Sequence, residues 1–459
     1  MDYENIATSS ELPSYSPSTP SPDYSYELSS GERLLENTPH RLQMLRPSAL
    51  YIRKEGATTV ILNDQEEGTT IPRYGRQGII SGSLCFEQSD NIVEVTVKIK
   101  GSMDIFVSEG GAKSITVFDV SYPLWSQTSV ESQPSICPAQ IIFSYVLPTT
   151  FTAEDDRVLP IPPTYNSPHL YLAGPFARSS YVLQIIIKRP RHPKVAIWPK
   201  TQQFVTPSYL YNGLIQFTAF VRISIPFHYV PRTRAHRPII PFSSFLSSIK
   251  SAPEEWYQVV AQLTSRSGGT TKDPLHSLLF VPSHRVYGLL DTIPFHVQLT
   301  GDVHALQELF LSGQEPVRVQ SSSESQNINI SDISLDEHIR LEVSLLRQVA
   351  VSYKGSKSWE DSIIGKGTIW PKPPHASDNC TSKAECMDHV DWEGELRCKE
   401  TITVGGFDAT NIHVKDFVIL KILPSKSKSP IQALRITVPV RLVTDSCDVA
   451  GIGLNYPAL

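Results

Sequence analysis

Methionine is scarce in this 459-residue chain, with 4, and proline outnumbers glycine by 36 to 24. Proline breaks helix interiors but suits turns and strand ends, so the balance favours many strands joined by proline-punctuated turns. No stretch approaches the roughly 20 apolar residues of a membrane-spanning helix. The first residues lack both a basic segment and an apolar segment of a secretory leader, so an intracellular protein is expected. The net charge of −5 is small. Nothing global therefore points to nucleic acid or to a membrane surface, and no nucleic-acid partner is expected.

The six cysteines, Cys85, Cys137, Cys380, Cys386, Cys398 and Cys447, contain no CxxC pair. In a reducing compartment they read as free thiols. Cys380, Cys386, His389 and Cys398 lie near one another but lack the tight paired spacing of a zinc site, so no metal is expected. GxSxG, HExxH, Walker A and GxGxxG are all absent. His228 and His296, each after a Pro-Phe pair, are the most conspicuous histidines, and strand histidines of this kind usually fill packing slots. The expectation is a non-enzymatic protein without a cofactor.

What is present reads as strands. Residues 1–48 show no periodicity, and their charges before Arg33 are all acidic, which predicts a disordered Ser/Pro-rich tail. From Leu50 onward the pattern alternates. Ile92–Lys100 (IVEVTVKIK) is the clearest strand, with one wet face. Thr58–Asn63, Gly78–Phe86, Ile115–Tyr122, Ala139–Leu147, Tyr181–Lys188 and Leu214–Pro226 complete a first series. Ser251–Ser265 reads as a short connecting helix, with Ser251 as cap, Pro253 in the first turn and an apolar stripe of Trp256, Val259, Val260 and Leu263. A second series begins near Ser277 and ends with Ile436–Val443. The chain is too long for one core. The expected fold is all-β, with two immunoglobulin-like β-sandwich lobes at 49–235 and 277–445, a linker with a short helix at 236–276 and a C-terminal tail at 446–459.

Two proline–tyrosine motifs stand out, Leu12-Pro13-Ser14-Tyr15 in the tail and Pro162-Pro163-Thr164-Tyr165 between strands. Proline presets a polyproline II ridge and tyrosine adds a ring with a polar tip, the ligand chemistry of WW domains. Leu12, Pro13 and Tyr15, and likewise Pro162, Pro163 and Tyr165, are candidate WW-binding residues. For the second motif a structural turn with its tyrosine packed is equally open. WW domains are carried by a class of ubiquitin ligases, which makes such a ligase the candidate partner. Ser16-Pro17, Thr19-Pro20 and Ser21-Pro22 are candidate proline-directed phosphorylation sites. Two basic runs complete the set. Lys188, Arg189 and Arg191 follow one strand, and Arg232, Arg234 and Arg237 follow another. They are candidates for phosphate on a phosphorylated tail or an anionic lipid, against the alternative of solvated turns.

Several segments resemble the arrestin family. Thr58–Asn63, Gly78–Gly82 and Ile92–Gly101 look like the opening strands of an arrestin N-lobe. Ser180–Ile185 with Lys188-Arg189-Pro190 resembles a late N-lobe strand. Val281–Gly288 followed by Thr292–Thr300 is similar to the start of an arrestin C-lobe. Ile225–Tyr229, Pro231–Arg234 and Trp392-Glu393-Gly394-Glu395 are like segments of fungal arrestin-like proteins. The resemblance spans roughly Leu50 to Asp445. It implies an adaptor of the α-arrestin branch that links membrane-protein cargo to WW-domain ubiquitin ligases for ubiquitination and endocytosis. Such a protein would be cytoplasmic, at the periphery of the plasma membrane or endosomes. Two departures matter: the first motif lacks its leading proline, and the second lies inside the N-lobe rather than in a C-terminal tail. The alternative is a retromer-like trafficking scaffold of the same fold without ligase recruitment.

Overall fold

The computed structural model describes residues 32–34, 49–127, 136–167, 175–190, 205–207, 217–241, 244–264, 275–301, 306, 339–372, 389–424 and 431–447. Eight longer strands, joined by several short ones, build the first lobe: β1 Ala49–Glu55, β2 Thr58–Gln65, β3 Ile79–Phe86, β4 Glu94–Val107, β5 Gly111–Ser126, β6 Gln140–Val146, β7 Phe176–Pro190 and β8 Phe217–Tyr229. One sheet runs β1-β2-β3-β6 and the other runs β8-β7-β4-β5. Their inner faces come from simple alternation. Val95, Val97 and Ile99 of β4 and Leu183, Ile185 and Ile187 of β7 are buried, while Thr96, Lys98 and Lys100 turn outward. Each such aliphatic side chain contributes about 1.5–3 kcal/mol of burial.

The second lobe contains β9 Trp256–Leu263, β10 Leu275–Pro282, β11 Thr292–Thr300, β12 Ile339–Tyr353, β13 Ser356–Lys372, β14 His389–Cys398, β15 Ile412–Pro424 and β16 Leu434–Val443. They form one sheet in the order β9-β10-β11-β14-β13-β12-β15-β16, extended by the short strand Val286–Gly288. The sheet closes on a core that includes Val281, Phe295, Leu345, Trp392, Val418 and Val438. A register shift opposite Leu345 and Leu346 bends β12 and β13. Gly394 permits the closure, because a Cβ there would lie 2.2 Å from the ring of Phe295. The strands expected from alternation thus appear, and the fold is all-β with sandwich-like lobes.

Two segments differ from expectation. Among the described residues the α-helix, α1, is Phe245–Ser251, and residues 256–263 form β9 rather than a helix. Tyr257, Val259, Ala261 and Leu263 point inward at a period of two, while Gln258, Val260 and Gln262 face out. β-Branched and aromatic content tips so short a stretch toward strand. The second sheet therefore begins at Trp256, inside the expected linker. Within the expected disordered tail, Glu32–Leu34 forms a strand against Thr233–Ala235. The rest of 1–48 lies outside the described residues, as do 448–459 and the cysteines at 380 and 386. Among the described residues, no helix is long and apolar enough to cross a membrane.

Candidate functional site

The lobes meet along one seam. Val349 and Val351 of β12 and Ile412 and Val414 of β15 leave the second lobe and join Ile105, Tyr165 and Tyr181 in the first lobe's core. Further along the same two strands, Val343, Leu345, Val418 and Leu420 belong to the second core. Arg347 and Asp416 stand between the two sets, directly opposite one another across β12 and β15. Their side chains are 4 % and 0 % exposed and form a bidentate pair, Nε to Oδ1 at 2.7 Å and Nη2 to Oδ2 at 3.0 Å. A charged pair thus separates two apolar cores on one continuous sheet face.

Pro162-Pro163-Thr164-Tyr165 lies at this seam. Pro162, Pro163 and Tyr165 are all buried. Gly101 leaves room for the Tyr181 ring, and the Tyr181 hydroxyl donates to the Pro162 carbonyl. Ser179 Oγ donates to the Pro163 carbonyl. The Thr164 N–H donates to the Tyr229 carbonyl at 2.8 Å, and the Tyr229 N–H donates to Thr164 Oγ1 at 2.8 Å. Tyr165 is 8 % exposed and meets Phe407 of the second lobe edge-on at 5.4 Å. Burial pushes its phenol up to about 12. A WW groove needs the ring and the proline ridge in solvent, whereas here both are packed, in an extended segment that enters the short strand Tyr165–Asn166. Leu12, Pro13 and Tyr15 lie outside the described residues.

The basic runs do not converge on each other. Lys188 pairs with Glu94, and Arg189 Nη2 donates to the Gln88 carbonyl at 3.3 Å. Arg191 lies outside the described residues. Lys188 sits opposite Phe220 on β8, whereas Arg232 follows the far end of that strand after Tyr229. The strand rise puts roughly 30 Å between them.

The second run does gather neighbours, at the lobe junction. Arg232 grips Asp445 through Nε at 2.9 Å and through Nη2. Residues 233–235 run beside the end of β16, with the Asp445 N–H donating to the Thr233 carbonyl at 2.9 Å. Burial alone would raise the Asp445 pKa. Hydrogen bonds from Arg232 and Thr444 and the charges of Arg232 and Arg234 overcome this and hold it below the ordinary carboxylate value. His284 lies within the field of Arg237 and His236. The backbone N–H of Arg441 donates to the Arg285 carbonyl at 2.8 Å, tying the end of β16 to the segment that carries His284. Sequence reasoning missed His284, which lies about 50 residues beyond the run and meets Arg237 and His236 only in the folded chain.

His284 carries a pH prediction. Burial first, then Arg237 and His236, lower its pKa from 6.5 to about 4. The unfolded chain then binds a proton between those values that the folded chain refuses. Stability from this group is complete above pH ~6.5 and declines as pH falls toward 4. His284→Gln is expected to flatten that part of the urea-midpoint profile between pH 4 and 7. An unchanged slope would mean that another group carries the effect.

His228 is half-buried beside Arg73, and burial first and then that arginine lower its pKa. His296 is 1 % exposed, stacks on Phe245 at 3.7 Å and bonds Asp391 Oδ1 through Nε2 at 2.9 Å. The ring anchors α1 to the outer face of the second sheet. Among the described residues, no group of three or more His, Cys, Asp or Glu side chains is placed to hold a metal ion.

No family model matches the chain, and no curated protein matches it.

Proposed function

We propose that the protein is a non-enzymatic, arrestin-like adaptor that links membrane-protein cargo to a WW-domain ubiquitin ligase. The observation that carries the reading is the joint itself: two sandwiches share an apolar seam, Arg232 and Arg234 stand around Asp445, and Arg237 and His236 stand around His284. A rigid two-lobed platform presents a partner surface without reorganisation cost. With Arg232 committed to Asp445, the exposed Arg237 is the guanidinium that suits a phosphorylated cargo tail or an anionic lipid headgroup. Ligase recruitment falls to Leu12-Pro13-Ser14-Tyr15, because the second motif is consumed by packing. The work would be done in the cytoplasm, at the plasma membrane or endosomes.

That burial also favours a second reading, a retromer-like scaffold that recruits no ligase. Pull-down of the full chain with an isolated WW array separates the two. The adaptor reading expects capture that a competing Pro-Pro-x-Tyr peptide abolishes, whereas the scaffold reading expects none.

A further inference from the structure

Strand alternation on β14 sends Glu393 and Glu395 to the same outer face, on either side of the buried Gly394. Trp370 of β13 sits directly opposite Glu393. Residues 238–241, arriving from the first lobe, pass over this face and enclose a cleft of about 500 Å³. That volume falls within the roughly 300–1,000 Å³ of ligand pockets. Asp291 completes the acidic lining, Trp256 and Phe245 add aromatic walls, and among the described residues no Lys, Arg or His lines the cleft. The walls are preset. Trp256 Nε1 donates to Ser248 Oγ at 2.9 Å, and Phe245 is held between Trp256 at 4.9 Å and His296 at 3.7 Å.

We infer that this cleft binds an arginine or lysine side chain on a basic segment of a partner protein. The lining chooses among occupants. An anion would face three carboxylates. A purely apolar group would strip water from them without a partner, which is costly. A cation satisfies the carboxylates and lies against indole faces, which attract positive charge. The carboxylates keep capacity for it. Glu393 already receives the Lys372 ammonium at 2.6 Å, so the position accepts a cation. Glu395 has only a loose contact with Arg397 at 3.4 Å, and one oxygen of Asp291 takes the Gly288 N–H at 2.6 Å. This inference is independent of ligase recruitment and of the Arg232–Arg237 cluster, which would take partners of opposite charge.

The test is fluorescence anisotropy of the full chain with a labelled Gly-Arg-Gly-Arg-Gly peptide and its Gln counterpart. The arginine peptide is expected to bind, more weakly as salt rises, and the glutamine peptide at least about tenfold less well. Trp370→Ala and the double variant Glu393→Gln/Glu395→Gln are each expected to weaken binding about tenfold. These side chains are partly exposed, so unchanged circular dichroism should accompany the loss. Trp359→Ala, on the same strand but roughly 35 Å away, should have no effect. Lys372→Gln should tighten binding by freeing Glu393, a gain that a merely structural role would not produce. Equal binding of both peptides, or an equal loss in Trp359→Ala, would overturn the proposal. So would unaltered affinity in Trp370→Ala, or a Lys372→Gln protein that binds no tighter.

Discussion

Replacing Asp416 with asparagine is expected to remove about 3–5 kcal/mol of stability, the usual cost of stranding one member of a buried ion pair. Arg347 is almost wholly buried between two apolar cores and its guanidinium cannot shed its proton. Without the carboxylate it must stay charged in a dry site or drag its strand toward water. Replacing both partners, as Arg347→Leu/Asp416→Leu, is expected to recover most of the loss, because the desolvation penalty disappears with the charges. Urea unfolding followed by circular dichroism gives the comparison. A loss below about 1 kcal/mol in Asp416→Asn would mean that water reaches the pair. A double variant no better than the single would mean that the pair also fixes the register of β12 against β15.

Tyr165→Ala should be of similar size, about 3–5 kcal/mol, the range for truncating a buried aromatic ring. The ring fills space between the first lobe and Phe407 of the second, so the cavity opens at the seam. Tyr165→Phe keeps the volume and should stay within about 1.5 kcal/mol of the parent. If alanine is tolerated as well as phenylalanine, the ring is not packed as described, and the motif regains its claim as a WW ligand.

These two sites mark how far the sequence could be read. The strand expected at Ile92–Lys100, observed as Glu94–Val107, was legible because one face is wet and the alternation of Val95, Val97 and Ile99 records it. Trp256–Leu263 was not, since Trp256, Val259, Val260 and Leu263 also fit a helical stripe over so short a run. The choice was made by pairing with Leu275–Pro282, a contact outside the window. Arg347 and Asp416 each look like an ordinary solvent-facing charge in a strand. Their meeting depends on register between residues 69 apart. The Pro162–Tyr165 motif reads equally well as ligand or as turn, and Phe407 of the other lobe decides it. The acidic cleft is invisible for the same reason: its walls come from residues 238–241, 244–245, 256, 291–292, 294–295, 370, 393–395 and 446–447. Local pattern records which face of a strand is wet, but not which distant strand will cover it.

The most direct test of the adaptor reading is calorimetric titration of the full chain with an isolated WW domain, for the parent and for Tyr15→Ala. The ring of Tyr15 is the proposed anchor of the tail motif, to which ligase recruitment falls in this reading because Tyr165 is packed. Its removal should cost about 2 kcal/mol or more, roughly a thirtyfold loss of affinity, while Tyr165→Phe should bind as the parent does. A parent protein that does not bind the WW domain, or a Tyr15→Ala protein that binds it undiminished, would contradict the account.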